Sequence, residues 1–162
     1  GHLVLSTLHT NNAIGVIPRL IDMGVDPFLI PSTLVMAMGQ RLVRTLCEES
    51  RKEIEVVERV KEVLDAEVAA MPDEVKNTVK MPRAIYESQV APSCPKGTRG
   101  RLALAEVLLM TPDLEQIILQ EPSELKIIEE ARRQNMITMR QDGVLKVMRG
   151  VIGLEELFEV VV

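Results

Sequence analysis

Leu3-Val4-Leu5-Ser6-Thr7-Leu8-His9-Thr10-Asn11-Asn12 opens the chain with a short apolar, partly β-branched run that ends in small polar side chains and a histidine. The run, residues 3–8, predicts a buried strand. Asn11 or Asn12 offers the side-chain oxygen that caps a following helix. Ile14, Ile17, Leu20 and Ile21 then recur at helical spacing, and Gly24 marks the stop. Strand, polar loop and helix together make the unit of an α/β sheet, and the polar loop is where such sheets place ligand groups. His9 is therefore the first candidate functional residue, although a lone histidine is more often structural. His2 lies seven residues before it. A regular strand turns the two to opposite faces, which excludes a shared metal.

Outward from this stretch, Pro18 is expected to kink or delay the first helix. Asp26-Pro27 begins a second helical stretch, which Pro31 disturbs. Residues 40–46 predict a second strand. Residues 48–80 carry 10 acidic and 6 basic side chains. Val57, Val60, Leu64 and Val68 stripe this segment, which reads as a charged surface helix and is too short for a coiled coil. A loop with Pro92, Pro95 and Gly97 leads to a third strand over residues 101–109. The last third is helical: Thr111-Pro112 and Ser123 open helices, Thr138 with Gln141 forms a capping box, and residues 153–160 make a final short helix. Ile117, Ile128, Val144 and Leu157 are the expected core of this part.

Composition bounds the function. The 162 residues are 46% hydrophobic and 27% charged, as in an ordinary folded domain. Lys and Arg number 19 against 24 Asp and Glu, a net charge of −5, which disfavours non-specific nucleic-acid binding. Phe28, Tyr86 and Phe158 are the whole aromatic set, too few for base-stacking platforms. No apolar run approaches the ~18 residues of a membrane span. No basic stretch precedes the first apolar run, so no signal peptide is expected. Cys47 and Cys94 fit reduced thiols better than a disulfide framework. Neither sits in a Cys-x-x-Cys pair, so zinc is not expected. Gly-x-Ser-x-Gly, His-Glu-x-x-His and Gly-x-x-x-x-Gly-Lys-Ser/Thr are all absent. Arg41 and Arg44, three apart, read as ligands of phosphate or of a neighbouring subunit's carboxylate, or as solvated surface.

Gly1-His2-Leu3-Val4-Leu5-Ser6-Thr7-Leu8-His9-Thr10-Asn11 resembles the histidine box of the type II secretion and type IV pilus assembly ATPases. Gln40-Arg41-Leu42-Val43-Arg44-Thr45-Leu46-Cys47 is similar to the family's next block. Gly97-Thr98-Arg99-Gly100-Arg101 with Glu106-Val107-Leu108 resembles its Gly-Tyr-x-Gly-Arg segment and following strand. Asp142-Gly143, Gly150 and Leu154-Glu155-Glu156 match its C-terminal helices. Thr98 stands where tyrosine is usual, and Ser50 and Gly97 replace cysteines of the family's zinc pairs, which leaves Cys47 and Cys94 as remnants.

The resemblance implies an α/β fold: the C-terminal portion of a RecA-like P-loop NTPase domain, followed by a helical subdomain. Residues 1–47 would be partial ATPase core, 48–100 a charged helical insertion with a degenerate metal segment, and 101–162 the last strand and C-terminal helices. The resemblance also implies a longer, cytoplasmic bacterial protein peripheral to the inner membrane. That protein would be a homo-hexamer using ATP and Mg, working on an inner-membrane platform protein with no direct nucleic-acid contact. The 162 residues alone are expected to be inactive. His9 would be catalytic, and Thr10, Asn11, Arg41 and Arg44 nucleotide-proximal. The alternative is a non-catalytic helical module that contacts the platform protein or a neighbouring subunit. In a RecA-like sheet, strands 3–8 and 102–109 would lose neighbours and expose unpaired edges.

Overall fold

The structure is a computed structural model that describes residues 2–161, so Gly1 of the histidine-box stretch lies outside the described residues. Helix α1 spans Val16–Asp22, a 3-10 turn Pro27–Leu29 and α2 Ile30–Thr33. Strands β1 Met36–Leu46 and β2 Lys52–Glu55 follow, then α3 Glu58–Ala69, α4 Asp73–Lys76, β3 Ala84–Glu87 and β4 Thr98–Leu109. Helices α5 Pro112–Gln120, α6 Glu124–Arg133, α7 Met139–Met148 and α8 Leu154–Val160 complete the chain. This is a mixed α/β architecture. Its described strands form two two-stranded sheets, β1 with β4 and β2 with β3. Both are antiparallel. The first is closed at its ends by Met110 N–H on Val35 O (3.0 Å) and Cys47 N–H on Gly97 O (3.2 Å).

The expected strand over residues 3–8 is not formed. Leu3, Val4 and Leu5 are 84%, 78% and 89% exposed, and the segment enters no ladder among the described residues. A parallel strand is stable only between neighbours that satisfy its backbone. The β-pattern was legible here, but no described strand pairs with it. The argument that a strand separates His2 from His9 lapses with it.

The chain packs as two units. The first comprises residues 1–39 and 107–134, the second residues 40–106 and 135–162. The three-part division of the sequence at 47 and 100 is one of motifs, and the packing units cut across it. The C-terminal helices accordingly serve two cores rather than one.

In the first unit, α1 ends in a Schellman motif. Gly24 N–H reaches Ile21 O and Val25 N–H reaches Leu20 O. Pro18 sits in the first turn of α1, where no amide is required, so the helix is not broken. Asp26 Oδ1 accepts from Phe28 N–H at 2.9 Å and starts the 3-10 turn. The buried residues of this unit include Ile17, Ile30, Leu108, Leu114, Ile118 and Ile127. Ile118 and Ile127, one position from the expected Ile117 and Ile128, face inward.

A buried carboxylate organises the same unit. Thr111 caps α5 by accepting from Leu114 N–H (3.2 Å) and donates its own proton to Glu130 Oε1 (2.6 Å). Arg133 Nε donates to Glu130 Oε2 at 2.7 Å, and Gln134 Nε2 to Glu130 Oε1 at 3.2 Å. Burial pushes the Glu130 carboxyl up. The hydrogen bonds from Arg133, Thr111 and Gln134 and the Arg133 charge outweigh it, leaving the group below its ordinary 4.5.

In the second unit one continuous core joins Val43 of β1, Leu64 of α3, Ile85 of β3, Leu104 of β4, Val144 and Val147 of α7, and Leu157 of α8. Helix α3 follows the expected stripe through Leu64, but Val57 precedes the helix and is exposed. The segment 48–100 is not purely helical: β2 and β3 pair, with Ile54 opposite Ile85 and Lys52 opposite Glu87. Lys52 Nζ closes this pair on Glu87 at 2.8 Å. The separation of these four-residue strands hid them from a periodicity reading. The capping box forms as expected, with Gln141 N–H on Thr138 Oγ1 (3.2 Å) and Thr138 N–H on Gln141 Oε1 (3.0 Å). The next free amide of α7, Met139 N–H, is taken by buried Glu106 at 2.9 Å.

Two outcomes follow from these contacts. A carboxyl lowered by folding stabilises at neutral pH, and that contribution is lost as pH falls through its folded value. Glu130→Gln therefore lowers stability by about 1–3 kcal/mol at pH 7. In denaturant unfolding this difference from the parent shrinks toward zero below about pH 4. The second outcome concerns the α7–α8 contact. A Cβ at Gly143 would meet Leu157 Cδ1 at 2.2 Å, and Leu157 is fully buried. Gly143→Ala therefore destabilises by about 1–3 kcal/mol despite alanine's better helix propensity. Leu157→Ala costs about 2–5 kcal/mol alone. The double substitution costs less than the sum, because the added methyl enters the space vacated.

Candidate functional site

The polar loop before α1 holds three of the five sequence-derived site residues. Thr10 N–H donates to Leu8 O (3.2 Å), and Thr10 Oγ1 donates to Asn12 O (3.0 Å). Asn12 Oδ1 accepts from Gly15 N–H at 2.8 Å. Asn12 thus closes a turn just before α1, whose N-cap is Gly15 with no side-chain cap, so the helix cap expected of Asn11 or Asn12 is not formed. Buried Ala13 and Ile17 anchor the loop to the first unit. His9 and Asn11 are exposed, and His9 makes no hydrogen bond or ion pair with another described residue. The loop therefore presents a solvent-facing imidazole whose neighbours' polar groups are partly committed to each other. Such a group can donate to a phosphate oxygen in its neutral form and add charge when protonated.

The two arginines lie on β1 in the second unit. Side chains alternate along a strand, so residues three apart project to opposite faces. On a regular strand Arg41 and Arg44 therefore point to opposite faces. Arg41 is exposed. Arg44 lines an open cleft with Lys96, Thr98, Gly100 and Arg101. Thr98 and Arg101 are themselves three apart and still share this cleft. Gly100, at φ +82°, lies between them. Gly97 O and Met110 N–H both face β1 although one residue is odd-numbered and the other even. One extra residue between them, a bulge in the stretch that holds the left-handed Gly97 and Gly100, shifts the alternation.

Lys96 and Arg101 were missed by sequence reasoning. The signal was present as Lys96, Arg99 and Arg101 around two glycines, but the glycine conformations among them were not. Arg99 is engaged elsewhere, with Glu49 Oε1 at 2.8 Å and Ser93 O at 3.0 Å.

Cys47 and Cys94 are joined as a disulfide across 47 residues, which corrects the reading as free thiols. The antiparallel pairing of β1 with β4 is the cause. It sets Cys47 beside Gly97, whose N–H reaches Cys94 O at 3.0 Å. Spacing alone did not show that these two strands are neighbours. A four-ligand zinc site does not fit here. Both sulfurs are bonded to each other, the Ser50 hydroxyl donates to Gln89 O at 2.9 Å, and Gly97 offers no side chain. Among the described residues no group of three His, Cys, Asp or Glu is placed to hold a metal ion. Nor is any described helix long and apolar enough to cross a membrane.

The family described as Type II/IV secretion system protein matches residues 1–159. The chain belongs to this family. Among its relatives are the Type II secretion system ATPase E of Vibrio cholerae, 38% identical over 99% of this chain, and the Type IV pilus assembly ATPase PilB of Pseudomonas aeruginosa, 37% identical over 97%. PilB of Myxococcus xanthus is 39% identical over 97%. The chain spans only 30%, 26% and 26% of these three relatives' own lengths. Within the secretion-system family, then, this chain carries the polar loop and the cation cleft but no Gly-x-x-x-x-Gly-Lys-Ser/Thr sequence.

Proposed function

We propose that this chain is the C-terminal part of a secretion or pilus-assembly ATPase, in which it supplies a phosphate-contacting histidine. The observation that carries the reading is the near end-to-end match to relatives named as ATPases of both systems. In this reading the chain completes a RecA-like P-loop NTPase domain. Its N-terminal segment, unpaired here, takes its place in the parental sheet. The longer protein is a cytoplasmic homo-hexamer at the inner membrane, and it couples ATP hydrolysis to assembly of pilin-like subunits through a platform protein.

ATP and Mg would be held largely by residues of the longer protein, since none of these 162 forms a phosphate loop. When bound, they supply the phosphoryl group and the charge that neutralises it. This chain's own contribution is His9. Held on the Thr10–Asn12 loop, its imidazole donates a hydrogen bond where negative charge gathers on the transferring phosphate. Thr10 and Asn11 keep the loop's shape, and Arg44 acts at the nucleotide or a subunit boundary. A second reading, an interaction module without catalysis, is supported by the exposed apolar side chains Met23, Phe28 and Leu29.

The two readings part on one substitution in the longer protein. A donor that acts mainly in the transition state is worth about 3 kcal/mol, or a little over 100-fold in turnover. His9→Ala should lower ATP turnover by that order while nucleotide affinity stays within a few-fold. Tenfold weaker binding with turnover intact would make His9 a ground-state ligand. Unchanged turnover and affinity would favour the interaction module.

A further inference from the structure

The second unit carries a concentration of unpaired positive charge that the histidine loop does not explain. Arg44, Lys96 and Arg101 converge on one open cleft of about 260 Å³, with Thr98 and Gly100 completing its wall. None of the three cations has a carboxylate partner among the described residues. Outside the cleft, Lys52, Lys61, Lys76, Arg99, Lys126, Arg133, Arg140 and Lys146 meet Asp or Glu, and the remaining cations are not gathered in a cleft of this kind. In a chain with 24 acidic residues and a net charge of −5, these three cations line one cleft with no carboxylate in its wall. Their mutual repulsion disfavours the arrangement unless an anion joins them.

The cleft is also held in place. Thr45 Oγ1 donates to Arg99 O, fixing β1 to β4 beside it. Cys47 N–H holds Gly97 O at 3.2 Å, and the Cys47–Cys94 bond ties the turn that carries Lys96. Gly100, with φ +82°, lies in the wall between Arg99 and Arg101. Arg99, the one cation of the run that faces away, is neutralised by Glu49 at 2.8 Å. Next to the cleft, then, Arg99 is paired while Arg44, Lys96 and Arg101 are not.

We propose that this cleft binds a phosphate-class oxyanion. Two guanidinium forks match the tetrahedral oxygens by paired N–H donors, an ammonium adds a third charge, and the Thr98 hydroxyl adds a neutral donor. The volume lies below the roughly 300–1,000 Å³ of pockets that enclose a drug-sized ligand. It has room for a phosphate or diphosphate group. The proposal does not rest on the ATPase reading: the cleft uses neither His9 nor a phosphate loop, and a protein without turnover can still bind this anion.

The probe is inorganic pyrophosphate, titrated calorimetrically at about 0.15 M salt, where loose surface attraction is screened. Wild type should bind one equivalent with Kd below about 1 mM, and amide shifts should map to residues 44 and 96–101. Arg44→Gln, Lys96→Gln and Arg101→Gln should each weaken binding about tenfold. Arg59→Gln, the same charge change on the exposed face of α3, should leave it unchanged. All four variants replace exposed side chains, and unaltered far-ultraviolet dichroism checks that each remains folded. ATP without magnesium should bind within about threefold of pyrophosphate, because the wall offers cations for its phosphates and no group for its base. No binding, equal weakening by Arg59→Gln, or a preference for ATP above tenfold would each overturn the proposal.

Discussion

Strand β4 must find hydrogen-bond partners for two edges and has a strand on only one of them. Its pairing with β1 satisfies the first edge. A peptide group left dry and unpaired on the second would cost about as much as a lost hydrogen bond. Helix side chains meet this demand. Asp142 of α7 accepts from Ala105 N–H at 2.9 Å, and Lys146 Nζ donates to Ala103 O at 3.0 Å. Asp142 and Lys146 also pair with each other, one turn apart. Further along, the Gln134 amide takes both groups of Leu109, accepting from its N–H at 3.1 Å and donating to its carbonyl at 3.0 Å. Residues 103, 105 and 109 share one edge because the backbone of a strand alternates from residue to residue. The expectation of a bare edge over residues 102–109 is thereby corrected at Ala103, Ala105 and Leu109. That edge is capped by polar side chains, one of the ways proteins keep strand edges from pairing with other chains.

Much of the local architecture was legible in the sequence because it is set by neighbours in the chain. Thr111, Ser123 and Thr138 cap the helices they were expected to cap, Gly24 ends α1, and Leu64 is the buried residue of the charged helix α3. What was not legible depends on pairing between distant segments. The run Leu3-Val4-Leu5 has the composition of a strand but finds no described partner. Strands β2 and β3 are four residues each and about thirty residues apart, so neither shows a period. Cys47 and Cys94 meet only because β1 and β4 do. The inward faces of α5 and α6 were misread by one position, since each helix buries residues on a face that periodicity fixes only loosely.

The candidate site divides along the same line. His9, Thr10 and Asn11 were readable as a motif, and their loop is local. The cation cleft was only half readable. Arg44 was singled out, whereas Lys96 and Arg101, which line the same cleft from a distant part of the chain, were not. The same strand, β4, thus lines the cleft at one end and carries the capped edge that anchors helices at the other.

The capped edge is tested most directly by hydrogen exchange at single amides of β4. Ala105 and Leu109 have no strand partner on their outer edge, so their protection depends on Asp142 and Gln134. The account predicts that both amides exchange far more slowly than those of Leu3, Val4 and Leu5, and that Asp142→Ala speeds exchange at Ala105 while leaving Leu109 slow. Exchange at Ala105 and Leu109 as fast as at residues 3–5 would contradict it.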